Sequence, residues 1–150
     1  MDVVFHLCLP HDAASVPIVR HLCRQALSVL GVSATCVADI ELAATEACTN
    51  VLKHAEQTAG PYEVDVEIAG DVCHIDVGDG VRFDHSGIGL DPAALDAETG
   101  RGVHLMRALV DSLEFVSGPK EGTRLHLVKR LEFTDDSPVH RLVPRSYTST

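Results

Sequence analysis

Glu46, Asn50 and His54 follow one another at intervals of four residues. On a helix that turns by about 100° per residue, each group then drifts only about 40° around the axis from the last. A carboxylate, a carboxamide and an imidazole therefore share one edge. The carboxylate and the amide oxygen could hold a divalent cation and draw a proton from a hydroxyl. A second group, Asp76-Val77-Gly78-Asp79-Gly80, and a third, Gly100-Arg101-Gly102, follow downstream. Glycines let the backbone approach a ligand closely, and the N–H groups at a helix start attract phosphate oxygens. A buried Asp at a strand end can accept a hydrogen bond from an exocyclic amino group. Asp76 would thus favour adenine, which carries that group, over guanine, which has a carbonyl there. Neither a Walker A sequence nor the glycine loop and His-Arg-Asp set of ordinary protein kinases is present.

These groups need elements to hold them. Val37, Ile40, Ala44, Ala47, Val51 and Ala55 recur at spacings of three and four, which buries one side of a helix and leaves Glu46 and Asn50 at a pocket edge. Ser33 or Thr35 can cap that helix. An earlier helix opens at Pro17 and stops at Gly31, and a strand over Val3 to Leu9 precedes it. Tyr62 to Ile68 alternates apolar and acidic residues, Gly70-Asp71 turns the chain, and Val72 to Val77 returns antiparallel with Asp76 near its end. Residues 78–100 are glycine-rich and read as a mobile loop. Val103 to Val110 is helical in pattern, and Leu113 to Val116 and Thr123 to Leu131 read as strands. The expected fold is an α+β, two-layer sandwich: a mixed, mostly antiparallel sheet covered on one face by helices. It spans residues 1–133, and the Ser-, Thr- and Pro-bearing tail 134–150 is expected to be disordered.

Composition narrows the partners. The 150 residues, 45% of them hydrophobic, suffice for one well-buried domain and are short for two. With 12 basic against 22 acidic residues the net charge is −10, which argues against nucleic acid. No apolar run approaches the ~20 residues of a membrane helix, and Met1 to His6 lacks a basic signal-peptide start, so the expected location is the cytoplasm. Cys8, Cys23, Cys36, Cys48 and Cys73 contain no C-x-x-C pair and read as reduced core residues. The histidines show no H-x-x-H or H-E-x-x-H spacing, which makes a zinc enzyme improbable.

Taken together, Glu46-x-x-x-Asn50-x-x-x-His54-Ala55, Asp76-x-Gly78-x-Gly80, Gly100-x-Gly102 and Gly122-Thr123 resemble, in order, the N, G1, G2 and G3 boxes of the GHKL, or Bergerat-fold, ATPases. The short length and Gly100-Arg101-Gly102-Val103-His104-Leu105-Met106 resemble the anti-sigma-factor serine-protein kinases of the RsbW and SpoIIAB type, over roughly residues 3–131. The resemblance implies that Asn50 holds Mg²⁺ and that Glu46 is the general base toward a protein serine. It implies that Asp76 reads the adenine amino group, with Gly78 and Gly80 beside base and sugar and Thr123 supporting the pocket. Gly100, Arg101 and Gly102 would approach the phosphates of ATP or ADP, and residues 81–99 would be the lid. One departure stands out: Val81-Arg82 separates Gly80 from Phe83-Asp84, where the family usually runs almost directly on. The implied partners are a sigma factor, an anti-anti-sigma factor and a second copy of the chain. Arg20 and Arg24, four apart in an acidic chain, are candidates for contacting acidic groups on such a partner. The competing expectation is a binding-only regulator with the same fold. A histidine-kinase ATPase module is disfavoured, because the chain has no room for a dimerisation helix pair.

Overall fold

The computed structural model describes residues 2–54, 60–79, 97–118 and 122–142. Strand β1 (Asp2–Leu9) leads through a 3₁₀ turn (Ala13–Ser15) into α1 (Val16–Val29) and α2 (Ala34–His54). Then come β2 (Tyr62–Ala69), β3 (Val72–Asp79), α3 (Ala97–Leu109), β4 (Ser112–Gly118), β5 (Gly122–Arg130) and a short α4 (Val139–Leu142). The five strands lie in the order β1-β2-β3-β5-β4, and each described pair is antiparallel. The β2–β3 turn is Gly70-Asp71, as the sequence pattern requires, with Gly70 at a positive φ of 61°.

Alternation decides what each face of the sheet meets. Tyr62, Val64, Val66 and Ile68 on β2, Cys73, Ile75 and Val77 on β3, and Leu125 and Leu127 on β5 are buried. Helix α2 packs across β3 and β5 and against α1 and α3, so these side chains point into the helical layer. The opposite face is polar, with Asp65, His74, Asp76 and His126 on the central strands. Helix α2 buries Val37, Ile40, Ala44, Ala47 and Val51, the stripe expected from its spacing. Its cap is Ser33, whose hydroxyl accepts from the Cys36 N–H.

The joint between α1 and α2 is locked from the C-terminal side. Gly31, at φ 78°, closes α1: its N–H donates to Ser28 O, and the Val32 N–H donates to Leu27 O. Residues beyond β5 then return to this joint. Val32 bridges Phe133, the Thr134 N–H donates to Gly31 O, and the Ser137 hydroxyl donates to Leu30 O at 2.5 Å. Ser137 and Val139 are buried. The expectation of a disordered tail from residue 134 is therefore corrected for 134–142, which form a clasp. The apolar anchors Phe133 and Val139 and the Ser137 cap supply its contacts. Residues 143–150 lie outside the described part.

Candidate functional site

Glu46 and Asn50 sit on α2, one turn apart, as their spacing demands. Glu46 is half-buried. Asn50 is 5% exposed, and neither its Oδ1 nor its Nδ2 has a hydrogen-bond partner among the described residues. Leaving both ends of a buried amide unpaired costs about 1–3 kcal/mol for each group. A helix edge that carries such a residue is built to be completed by something else. A neutral oxygen beside a carboxylate suits Mg²⁺, which accepts few protein oxygens and retains several waters. The side chain of His54 lies outside the described part.

A buried hydrogen-bond relay joins the 3₁₀ turn to β2. The Ser15 hydroxyl donates to Asp12 O at 2.6 Å, which leaves it to accept from the Tyr62 hydroxyl at 2.5 Å. Burial pushes the Cys48 thiol up to about 12, so it stays protonated. The relay ties the 3₁₀ turn ahead of α1 to the first residue of β2, whose register partner is Asp79 at the end of β3.

That register decides which face of the sheet Asp76 occupies. Cys73, Ile75 and Val77 take the helix-facing positions of β3, so Asp76 points to the open face. There its carboxylate accepts from His126 Nδ1 at 2.8 Å. It lies across the thickness of the sheet from Glu46 and Asn50. Gly78 shares the open face: a Cβ on it would lie 3.0 Å from Arg124 Cγ. Its missing side chain makes room for Arg124, which pairs with Asp65 at 3.4 Å. Asp79 ends β3 two residues beyond Val77 and is the register partner of the buried Tyr62. The signal was present in the sequence, because Ile75-x-Val77-x-Asp79 continues the apolar alternation that Asp76 breaks. Thr123 occupies the corresponding alternation on β5, in step with Leu125 and Leu127.

Helix α3 starts at Ala97, six residues before the expected Val103, so Gly100, Arg101 and Gly102 lie within it rather than at its start. Gly102 faces α2, and a Cβ there would meet Glu46 Oε2 at 3.1 Å. Gly80 and most of the expected lid, 80–96, lie outside the described residues.

Arg20 and Arg24 are not two solvated cations. Both converge on Glu41 of α2, which is 8% exposed. Arg24 Nη2 lies 3.0 Å from Glu41 Oε1 and its Nε donates to Oε2 at 3.1 Å, while Arg20 Nε is 3.7 Å from Oε1. In the sequence Glu41 reads as one more acid in an acidic chain, and nothing local marks it.

The sheet, its helical layer and the Glu46–Asn50 edge define an ATPase-type domain. Residues 9–129 match the histidine kinase-like ATPase domain model, and the chain belongs to that family. It is 29% identical over 120 residues to the serine-protein kinase RsbW of Bacillus velezensis, covering 73% of this chain and 75% of the relative. Two solved structures share the fold. One holds the RsbU and RsbW domains of a Mycobacterium tuberculosis protein, with a TM-score of 0.66 and 23% identity over 86% of this chain. The chain spans about a third, 32%, of that larger one. The other is the SiaB–SiaC complex of Pseudomonas aeruginosa, with a TM-score of 0.53, 17% identity and coverage of 85% of this chain and 88% of that one.

Proposed function

We propose that this chain is an ATP-dependent serine-protein kinase that also sequesters a sigma factor, and that it phosphorylates an anti-anti-sigma partner of the STAS type. The observation that carries this reading is the buried, unpartnered Asn50 amide one helical turn from Glu46. The likeness to a serine-protein kinase supports the same chemistry.

In this reading Asn50 holds Mg²⁺, which supplies charge neutralisation for the phosphates when bound. Asp79, rather than Asp76, reads the adenine amino group, and Thr123 supports the pocket from β5. Arg101 approaches the phosphates. Glu46 accepts the proton of the serine hydroxyl as its oxygen bonds to the γ-phosphorus and the bond to ADP breaks. Phosphoryl transfer depends mainly on alignment and charge, so the base contributes about 10²–10⁴-fold and is not needed for binding. The protein acts in the cytoplasm as a homodimer, and the exposed parts of Arg20 and Arg24 meet acidic groups of a partner.

The binding-only regulator is the second reading. It is favoured by the early start of α3, which takes the Gly102 amide into the helical ladder instead of offering it to a phosphate. Incubation with radiolabelled ATP and STAS-domain proteins of the source organism separates the two. Labelled phosphoserine on one of them, absent with Glu46→Ala, supports the kinase. Nucleotide binding without transfer supports the regulator.

A further inference from the structure

We propose that Gly102 is a positioning residue for the Glu46 carboxylate, an inference that rests on the kinase reading above. A Cβ on Gly102 would stand 3.1 Å from Glu46 Oε2 and, among the described residues beyond its own helix, would meet no other neighbour within 4 Å. A carbon and an oxygen at that distance are tighter than ordinary van der Waals contact, so one side must yield. Helix α3 is held: Val103 and Met106, 4% and 0% exposed, seat the same stretch in the core. The Glu46 side chain is the part that moves, because turning its χ angles costs less than unseating close-packed neighbours.

Two further facts remove the usual reasons for a glycine at this place. Its φ does not demand one, since the positive-φ glycines among the described residues are Gly31 and Gly70. Its N–H is not free either, because α3 begins at Ala97 and a helix leaves only its first four N–H groups unbonded. Alanine would be the better helix former. What alanine would remove is the space in which Oε2 rests. With hydrogen at this point, the α3 backbone forms a wall that limits the carboxylate's rotamers beside Asn50. A methyl group would push Oε2 off that wall and misalign the base with the attacking hydroxyl.

The test uses Gly102→Ala, Glu46→Gln and the double variant of the full chain. Gly102→Ala should fold with an undiminished thermal midpoint and bind MgATP and MgADP within about 2-fold of wild type by calorimetry. It should hydrolyse MgATP about 10- to 10²-fold more slowly, the loss expected when a reacting group is misplaced by up to about 1 Å. In the Glu46→Gln background the same methyl should change the rate by less than about 2-fold, because a residue that acts through Glu46 has nothing left to act on. The side-chain ¹³C carboxyl resonance of Glu46 in the nucleotide-free protein should move on Gly102→Ala. Affinity that falls as far as the rate, a loss that persists in the Glu46→Gln background, or an unmoved Glu46 resonance overturns the proposal. If wild type neither hydrolyses ATP nor transfers phosphate, the kinase reading fails, and the Glu46 resonance decides the positioning claim by itself.

Discussion

The carboxylate of Asp76 and the imidazole of His126 are hydrogen-bonded at 2.8 Å across two neighbouring strands, on the face of the sheet turned away from the helices. An ionised carboxylate can only accept, so Nδ1 carries the proton. The pair satisfies the Asp76 carboxylate on the polar face of β3 without any ligand. It also separates two aspartates that lie three apart in one motif.

Nucleotide affinity should therefore follow Asp79. Calorimetry with MgATP is expected to show a loss of about 10²-fold or more for Asp79→Asn, because a carboxylate that accepts from the adenine amino group is replaced by an amide that can present a donor. Asp76→Asn should stay within about 2-fold of wild type. The reverse pattern would return the adenine to Asp76 and refute the register argument.

The same pair makes stability depend on pH. His126 is held above the ordinary imidazole value, first by its hydrogen bond to Asp76; burial opposes this, the charges of Asp76 and Glu114 add to it, and Arg124 opposes it. His74, stacked on His126 with ring centroids 5.5 Å apart, completes its surroundings. A raised folded-state value means that the contribution is fully present below the unfolded value of about 6.5 and is lost as pH rises through the folded one. Urea midpoints should fall between pH 6 and pH 8.5, and His126→Gln should flatten that fall. Parallel wild-type and variant profiles would rule out the linkage.

Arg24→Ala is expected to cost about 1–3 kcal/mol of folding stability, because it strips a hydrogen bond and a 3.0 Å ion-pair contact from the nearly buried Glu41 and leaves the more distant Arg20. Glu41→Gln combined with Arg24→Ala should cost less than the two singles added, since both remove the same pair. Denaturant unfolding reads this directly. A partner-binding defect in Arg24→Ala bears on a docking surface only once this loss of stability is subtracted.

Gly31→Ala should be the most damaging small substitution outside the core, at about 2 kcal/mol or more. It places a side chain at φ 78° and sets its Cβ 2.7 Å from Ser137 Cα. Ser137→Ala, which removes a hydroxyl from Leu30 O and from the Val139 N–H, should cost about 1 kcal/mol and release the same clasp. Faster amide exchange over residues 131–142 in both variants is the accompanying readout, and unchanged exchange would show that the clasp holds by apolar contact alone.

The fold was legible wherever one periodicity ruled a segment. The α2 stripe from Val37 to Val51, the alternation of β2 and the Gly70 turn all formed as their patterns require. The shared edge of Glu46 and Asn50 was legible on the helix, because a four-residue interval is one that no tertiary contact can alter. On β3 the motif match to Asp76-x-Gly78-x-Gly80 competes with the period-2 alternation, and the two place an aspartate on opposite faces. In a strand buried on one face, a shift of one residue exchanges the faces, so alternation outweighs motif spacing there. The Glu41 pairing and the clasp were not legible, since each joins residues far apart in the chain whose local sequence is that of ordinary surface.

Because the chain has no tryptophan and two tyrosines, the relay through Tyr62 has an optical consequence. Tyr62 is fully buried and sits opposite Asp79, while the other tyrosine, Tyr147, lies beyond the clasp. A Tyr147→Phe protein would carry a single tyrosine, at the register position opposite the end of β3. Its near-ultraviolet dichroism and emission would report events at that end of the sheet in real time, with no dye attached and no residue of the site replaced.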